Sequence, residues 1–497
     1  MQLSQLGSYG AVWDEPLHRG WALDFLRWWQ TNDWSVIEGM PGLGMYYGPL
    51  YYAANSFVAG IVHGWFHVPF VAANHVLGVC ITSLCVWMVF EFAQDLFGKR
   101  VAVASTLFFA LYTPLIAHAQ YNVKDVPLMV AVTGALWLSH RALQSKSLAY
   151  TAGAGAAFGA ALAIKVSALL VLPVPLAACA LRWMVKKRHG KRNKLMGAHA
   201  GFACVFALCM ALTTILLWPT LWHDILLPLE ALQTFRSQHF WNANAIYLGQ
   251  AYPWGLTPWH YIPLSFVIAT PTVTLISAMV GGLLPCLSKG ERSQWHSTAW
   301  LLLWLLNPVV LTMRGDLVRY NGMRQFFFCV PSIAMLAGSG LDAIMRALES
   351  QRVLRRFRPA AAVAVLAAVS LCAEAAIVHP YEGSYANEVV RTLAGPRLAE
   401  VFDIEYWGST YKEGLSWLEK NAPPSSVICV HFSEGVIGWY PVRPDLRFAC
   451  DERSAYTMFV ASFPAGAPGA DQHEFDGRTP AFSVLRYGVR LMNIYKR

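Results

Sequence analysis

The run PFVAANHVLGVCITSLCVWMVFEFAQDL, residues 69–96, decides the fold class. Crossing the hydrocarbon core of a bilayer takes about 20 apolar residues, and this run is long enough to do so. Comparable apolar runs recur at 101–117, 126–140, 148–164, 166–183, 197–218, 262–285, 296–313, 326–345 and 358–378. About ten spans are therefore expected. The composition agrees: 56% of the chain is hydrophobic and only 13% is charged, where a soluble domain carries roughly a quarter charged residues. The expected fold is an α-helical polytopic membrane protein with a transmembrane body at 69–378. A Trp-rich stretch at 1–68 precedes the body, and a soluble tail at 379–497 follows it.

The formal charge of +9 does not point to nucleic acid, because Lys and Arg cluster in short connections between apolar runs rather than on a soluble face. The clusters are Lys99–Arg100, Arg141 to Lys146, Lys186 to Lys194, Lys289 to Arg292 and Arg346 to Arg358, and they fall on alternate loops. Basic loops stay in the cytoplasm. Residues 1–68, 118–125, 219–261, 314–325 and the tail after 379 are then expected outside, in the periplasm of a bacterial inner-membrane protein. Cys429 and Cys450 both lie in that outer tail, where an oxidising compartment would permit a disulfide. The other cysteines lie in or beside spans and show no metal spacing.

At the outer ends, the pattern predicts an amphipathic helix at Glu15 to Trp29 and a half-buried helix near Leu50 to His63. Tryptophans at 13, 21, 28, 29 and 34 suit a membrane interface, where ring and N–H are both satisfied. In the tail, β-rich runs at Ser426 to Val430, Tyr456 to Phe463, Ala481 to Tyr487 and Arg490 to Tyr495 flank a helical run at Tyr411 to Asn421, closed by a Pro-Pro pair. This is the pattern of a small α/β or α+β domain.

Acids are scarce, so those on the outer side are informative. Asp14 and Glu15 stand in WDEPLHRG, where Asp14 could also serve as a helix N-cap. Asp125 stands in YNVKDVP with Asn122 and Lys124, at the entry to a span. Lys165 lies in a nearly unbroken apolar stretch, and an intramembrane lysine is costly enough to be functional unless it snorkels to an interface. Arg319 and Arg324 flank YNGMRQF on the side where basic residues are rare. They suit an anionic ligand, or an ion pair with Asp316. Tyr47, Tyr121, Asn122, His239, Tyr252, Trp259 and Tyr320 share the outer side and are candidate cavity residues. Histidines 18, 223, 239 and 260 have no ligand spacing, and HExxH, CxxC, GxSxG and P-loop motifs are absent, so no metal site is expected. A carboxylate base for an acceptor hydroxyl, with cations to receive a phosphate leaving group, is what sugar transfer from a lipid phosphate needs.

With these motifs in view, the chain resembles the GT-C superfamily. It is similar to the bacterial family 39 glycosyltransferases related to protein O-mannosyltransferases and to the aminoarabinose transferase that modifies lipid A. The resemblance rests on the acidic pair Asp14–Glu15, YYGPLYY from Tyr46, YNVKDVP from Tyr121 and AIKVSALLVLP around Lys165. It continues through GQAYPWGLTPWHYIP from Gly249, YNGMRQFFF from Tyr320, HPYEGSYANE from His379 and DIEYWGSTYKEGLSWL from Asp403.

The resemblance implies a polyprenyl-phosphate-linked hexose or pentose donor and inversion in a single displacement. The acceptor would be a protein, a lipid or a glycan. It matches Asp14 to the catalytic base, Glu15 to its neighbour and Asp125 to the second-loop acid. It matches Lys165, Arg319 and Arg324 to donor phosphate binding, and Lys124, beside Asp125, is a further candidate for that phosphate. No cofactor is implied; Lys and Arg suffice for a monophosphate leaving group, although related diphosphate users take a divalent metal. Family members have a helix before the acidic pair, so a further span preceding residue 1 is expected. The alternative is a transporter of lipid-linked sugar or polymer that binds an anionic lipid without chemistry, but the two related halves common in transporters are not evident.

Overall fold

The computed structural model describes residues 2–187, 192–237, 244–253, 256–287, 292–313, 319–351, 359–430, 434–450, 454–460, 475 and 477–496. Each of the ten apolar runs carries helix. Four helices are long and apolar enough to cross a membrane: Phe70–Phe97, Asp125–Ser145, Arg324–Ser350 and Pro359–Val378. Two bent pairs bring the number to six among the described residues. The basic clusters at 186–194, 289–292 and 346–358 lie wholly or partly outside the described residues.

The expected spans at 101–117 and 262–285 each carry a bend. The first breaks between Lys99–Ala110 and Thr113–Tyr121 at 62°, the second between Tyr261–Ala269 and Thr272–Pro285 at 117°. Pro114 and Pro271 explain where the breaks fall, since proline lacks an N–H and clashes with the preceding turn. Carbonyls freed inside an apolar body need new donors. At the second break Asn387 supplies them: its side-chain amide donates to Val267 O (2.6 Å) and Thr270 O (3.1 Å), and its backbone N–H donates to Ile268 O (2.9 Å). Close helix contacts rely on small residues. A Cβ on Gly281 or Gly340 would strike the backbone of the facing helix.

The N-terminal stretch forms helices Asp14–Thr31 and Leu50–Phe66, near the expected positions. Between them Gly48 lies so close to Ala163 O that any side chain would collide. This contact seats Tyr47 beside the end of helix Leu148–Ile164, where Lys165 follows.

In the tail, helix Tyr411–Asn421 packs on a five-stranded sheet. Its strands are β3 (Val427–Val430), β4 (Arg447–Phe448), β5 (Ser454–Val460), β6 (Phe482–Arg486) and β7 (Val489–Lys496), in the order β4-β3-β5-β7-β6. β3 pairs in parallel with β4 and β5, and β7 runs antiparallel to β5 and β6. Cys429 of β3 is disulfide-bonded to Cys450. Two-residue β4 is too short to show alternation in sequence. The same holds for the hairpin β1 (Asn244–Tyr247) and β2 (Gln250–Pro253), which docks on the tail through a bridge between Tyr247 and Phe402.

Candidate active site

Four separate segments meet at the ends of the apolar helices. Asp14 opens the first helix. Its side chain does not cap that helix, because the N-cap position belongs to Trp13 and no side-chain cap bond forms there. Instead Asp14 Oδ2 faces Arg324 Nη1 at 3.5 Å. Asp125 begins helix Asp125–Ser145 and pairs with Lys165 Nζ at 2.7 Å, with Arg324 Nε at 3.9 Å. Asn122 shapes the turn before it: its Oδ1 accepts from the backbone N–H of Asp125 (2.8 Å) and Lys124 (3.2 Å), and its amide donates to Asp125 Oδ2 (3.2 Å). Lys165 sits in extended backbone at the end of helix Leu148–Ile164. It reaches a carboxylate partner rather than snorkelling to water.

Aromatic rings enclose the charges. Arg324 lies over Trp407 at 4.3 Å, Tyr320 at 5.7 Å and Tyr406 at 5.8 Å. Lys124 lies over Tyr47 at 4.9 Å and Trp21 at 5.4 Å, and those two rings stack on each other. Such contacts attract a cation more strongly once water is excluded. Burial pulls Lys124 down to about 8, with Arg324 and Lys165 adding to the effect and Asp14 opposing it. His18, one turn after Asp14, is pushed well below its usual value by burial and by Lys124 and Arg324. Neither of its ring nitrogens has a hydrogen-bond partner among the described residues.

The structure therefore gathers Asp14, Lys124, Asp125, Lys165, Arg324, Tyr47 and Tyr320, with Asn122 as the turn beneath. Glu15 turns the other way. Its Oε2 accepts from Val12 N–H (2.7 Å), while Oε1 accepts from Asn74 Nδ2 (2.7 Å) and lies 3.1 Å from His75 Nε2. These are anchoring contacts, and Glu15 is spent on them. Replacing Glu15 with Ala leaves buried donors unmet, so a stability loss of about 1–3 kcal/mol is expected; Glu15→Gln, which keeps an acceptor oxygen, should lose less. Thermal unfolding in detergent reads the difference, and equal Tm values for both variants and the wild type would contradict the anchoring role.

Arg319 is also elsewhere. It donates to Thr257 Oγ1 (3.2 Å), Thr257 O (2.5 Å) and Thr312 O (2.8 Å), tying the arginine loop to neighbouring backbone. Tyr121 is buried against His118 and Trp407. Tyr252 bonds Gln250 Oε1 on the hairpin, and Trp259 is exposed. His239 and Asp316 lie outside the described residues.

Sequence reading missed Tyr406 and Trp407. They stand in the quoted motif from Asp403, but nothing local tells that the tail folds back. Trp13 shows how it does: its backbone N–H donates to Trp407 O (3.1 Å) and its indole N–H to Tyr406 O (2.9 Å). The residue before the candidate base is thus held by the two that cover Arg324.

Residues 57–220 match the family model described as dolichyl-phosphate-mannose-protein mannosyltransferase. The likeness to GT-C glycosyltransferases is borne out. The matched segment contains Lys124, Asp125 and Lys165, and it contains neither Asp14 nor Arg324. The match covers about a third of the chain, and helices long and apolar enough to cross a membrane lie both within it and beyond it. No curated protein matches it by sequence. Among solved structures, ArnT from Cupriavidus metallidurans aligns over 99% of this chain and 95% of its own. The identity is 12% in the apo state and 13% bound to undecaprenyl phosphate, with a TM-score of 0.46 in both. The apo oligosaccharyltransferase of Archaeoglobus fulgidus aligns over 91% of this chain and 66% of its own, at 13% identity and a TM-score of 0.46.

Proposed function

We propose that this chain transfers a hexose or pentose from a polyprenyl phosphate to an acceptor hydroxyl on a protein, lipid or glycan, at the periplasmic face of a bacterial inner membrane. The observation that carries the reading is the placement of Asp14 against Arg324, with Asp125, Lys165 and Lys124 alongside. A base lies next to the cations that would receive a leaving phosphate. Asp14 takes the acceptor proton as the hydroxyl oxygen attacks the anomeric carbon; the bond from that carbon to phosphate oxygen breaks, and polyprenyl phosphate leaves against Arg324, Lys124 and Lys165. A single displacement inverts the anomeric centre. Asp125 holds Lys165 and Arg324 in place, and no divalent metal is invoked, since three cations can stabilise a monophosphate. The alternation of basic loops and the disulfide in the tail support the outward orientation.

Mass spectrometry of envelope lipids and glycans tests the reading. A deletion strain should lack one sugar modification, restored by the wild-type chain and not by Asp14→Asn. An unchanged envelope in the deletion strain would overturn it.

Lys124 adds a pH dependence. It is charged below about 8 and neutral above, and bound phosphate favours the charged form. Affinity for undecaprenyl phosphate should therefore hold at pH 7 and fall by about fivefold to 10-fold by pH 9, the change in charged fraction. Lys124→Arg stays charged throughout and should flatten the curve. Identical pH profiles would remove Lys124 from the phosphate site.

A further inference from the structure

On the tail side of Arg324 lies a second feature, a cavity of about 60 Å³ lined in part by Tyr247, Tyr261, Asn321, Arg324, Asp403 and Tyr406. That space has room for several waters, given that one needs about 10–15 Å³ by this measure. Its aromatic hydroxyls are largely committed: Tyr261 Oη accepts from Gly322 N–H at 2.9 Å, and Tyr247 Oη pairs with His260 Nδ1 at 2.5 Å. Two other polar groups are not.

Asp403 is clamped by the hairpin. Its backbone N–H donates to Ile246 O (3.0 Å), and its Oδ1 accepts from Ile246 N–H (2.9 Å). Oδ2 makes no hydrogen bond to a described residue, and no cation pairs with the carboxylate among them. Burial pushes Asp403 up to about 7, against the single backbone bond. Near neutral pH it can thus both accept and donate. Asn321 is the other group. It is 4% exposed, and its amide has no described hydrogen-bond partner. It stands at φ 55° beside Gly322 at φ 61°, a left-handed pair of the kind Asn and Gly adopt most readily. Asn321 and Arg324 line the same cavity.

We propose that this cavity is the subsite for the transferred sugar ring, in which Asp403 Oδ2 and the Asn321 amide bind ring hydroxyls while tyrosine rings cover its C–H faces. The inference rests on the reading that donor phosphate sits at Arg324. Arg324 lines both regions, so a phosphate held there places the attached ring at the cavity mouth. A small cleft of aromatic walls with a few oriented polar groups is the general form of a small-ligand site. Buried hydrogen-bonding groups left unpaired discriminate strongly between ligands that do and do not satisfy them. The hairpin and tail, neither of which carries a proposed reacting group, would then choose the sugar.

The test uses the full chain in nanodiscs, titrated with undecaprenyl phosphate and with undecaprenyl phosphates bearing mannose, glucose or arabinose. The wild type should bind at least one sugar-bearing lipid more tightly than the bare lipid. Asp403→Asn keeps an oxygen for Ile246 and changes only the free atom; Asn321→Gly keeps the left-handed turn and removes the amide. Each should erase about 10-fold of the sugar-dependent gain and leave affinity for bare undecaprenyl phosphate unchanged. A gain that survives both substitutions overturns the proposal, as does a wild type that prefers none of the three sugars. Failure of the underlying phosphate reading looks different, since Arg324→Ala would then leave bare-lipid affinity unaltered.

Discussion

Asp14→Asn is expected to leave a folded protein that still holds undecaprenyl phosphate and has lost about 100-fold or more of its transfer rate, the scale of general-base removal. The substitution keeps size and capping ability, because Asn caps about as well as Asp. A capping role would therefore predict near-normal turnover. The structure already speaks against that role, since Trp13 holds the cap position and the Asp14 carboxylate faces Arg324 instead. At 3.5 Å the contact is longer than the 2.7–2.9 Å of a tight charge-assisted bond, which leaves the carboxylate able to accept from an incoming hydroxyl. Glu15 cannot take over, because its oxygens are committed to Val12, Asn74 and His75. Single-turnover kinetics with a pre-bound donor separate the chemical step from binding. Full turnover in the Asn variant would sink the assignment.

The second large effect is expected at Arg324. Its guanidinium is buried among three rings and two carboxylates. Removing a charge-assisted phosphate contact should cost about 1.5 to 3 kcal/mol, or roughly 10-fold to 150-fold in kcat/KM. Arg324→Ala also strands Asp14 and Asp125 with less positive charge nearby. Breaking a buried pair this way costs about 3–5 kcal/mol when the remaining charge is uncompensated, so the Ala variant should also melt earlier. Arg324→Lys keeps the charge and separates the two effects. It should restore most of the stability and only part of the donor affinity, because an ammonium lacks the planar fork that stacks on Trp407 and grips phosphate bidentately. Titration with undecaprenyl phosphate and a thermal melt on the same samples read both. Native affinity in both variants would leave Arg324 a purely structural cation.

Much of this protein is legible because membrane physics acts locally along the chain. Apolar length marks helices that lipid requires, and the run at 69–96 became helix Phe70–Phe97. Intramembrane or misplaced charge is expensive, which singles out Lys165, Arg319 and Arg324 in the sequence. Alternation and a Pro-Pro stop marked the helix Tyr411–Asn421 and the longer strands of the tail.

What the tertiary structure decided is which of two neighbouring like residues faces the charged cluster. Asp14 and Glu15 are adjacent, as are Arg319 and Arg324 nearly so, and composition cannot rank either pair. The ranking comes from partners far away in sequence: Asn74 and His75 take Glu15, and Thr257 and Thr312 take Arg319. Side chains on successive helical residues point about 100° apart, so Asp14 faces the cations while Glu15 holds the wall; Arg319 precedes the short helix that begins at Arg324, and its own contacts set its direction. The same holds for Tyr406 and Trp407, whose place over Arg324 depends on hydrogen bonds from Trp13 at the opposite end of the chain. Hydropathy and periodicity carry no information about such pairings, because a hydrogen bond is satisfied by whichever group folding brings within reach.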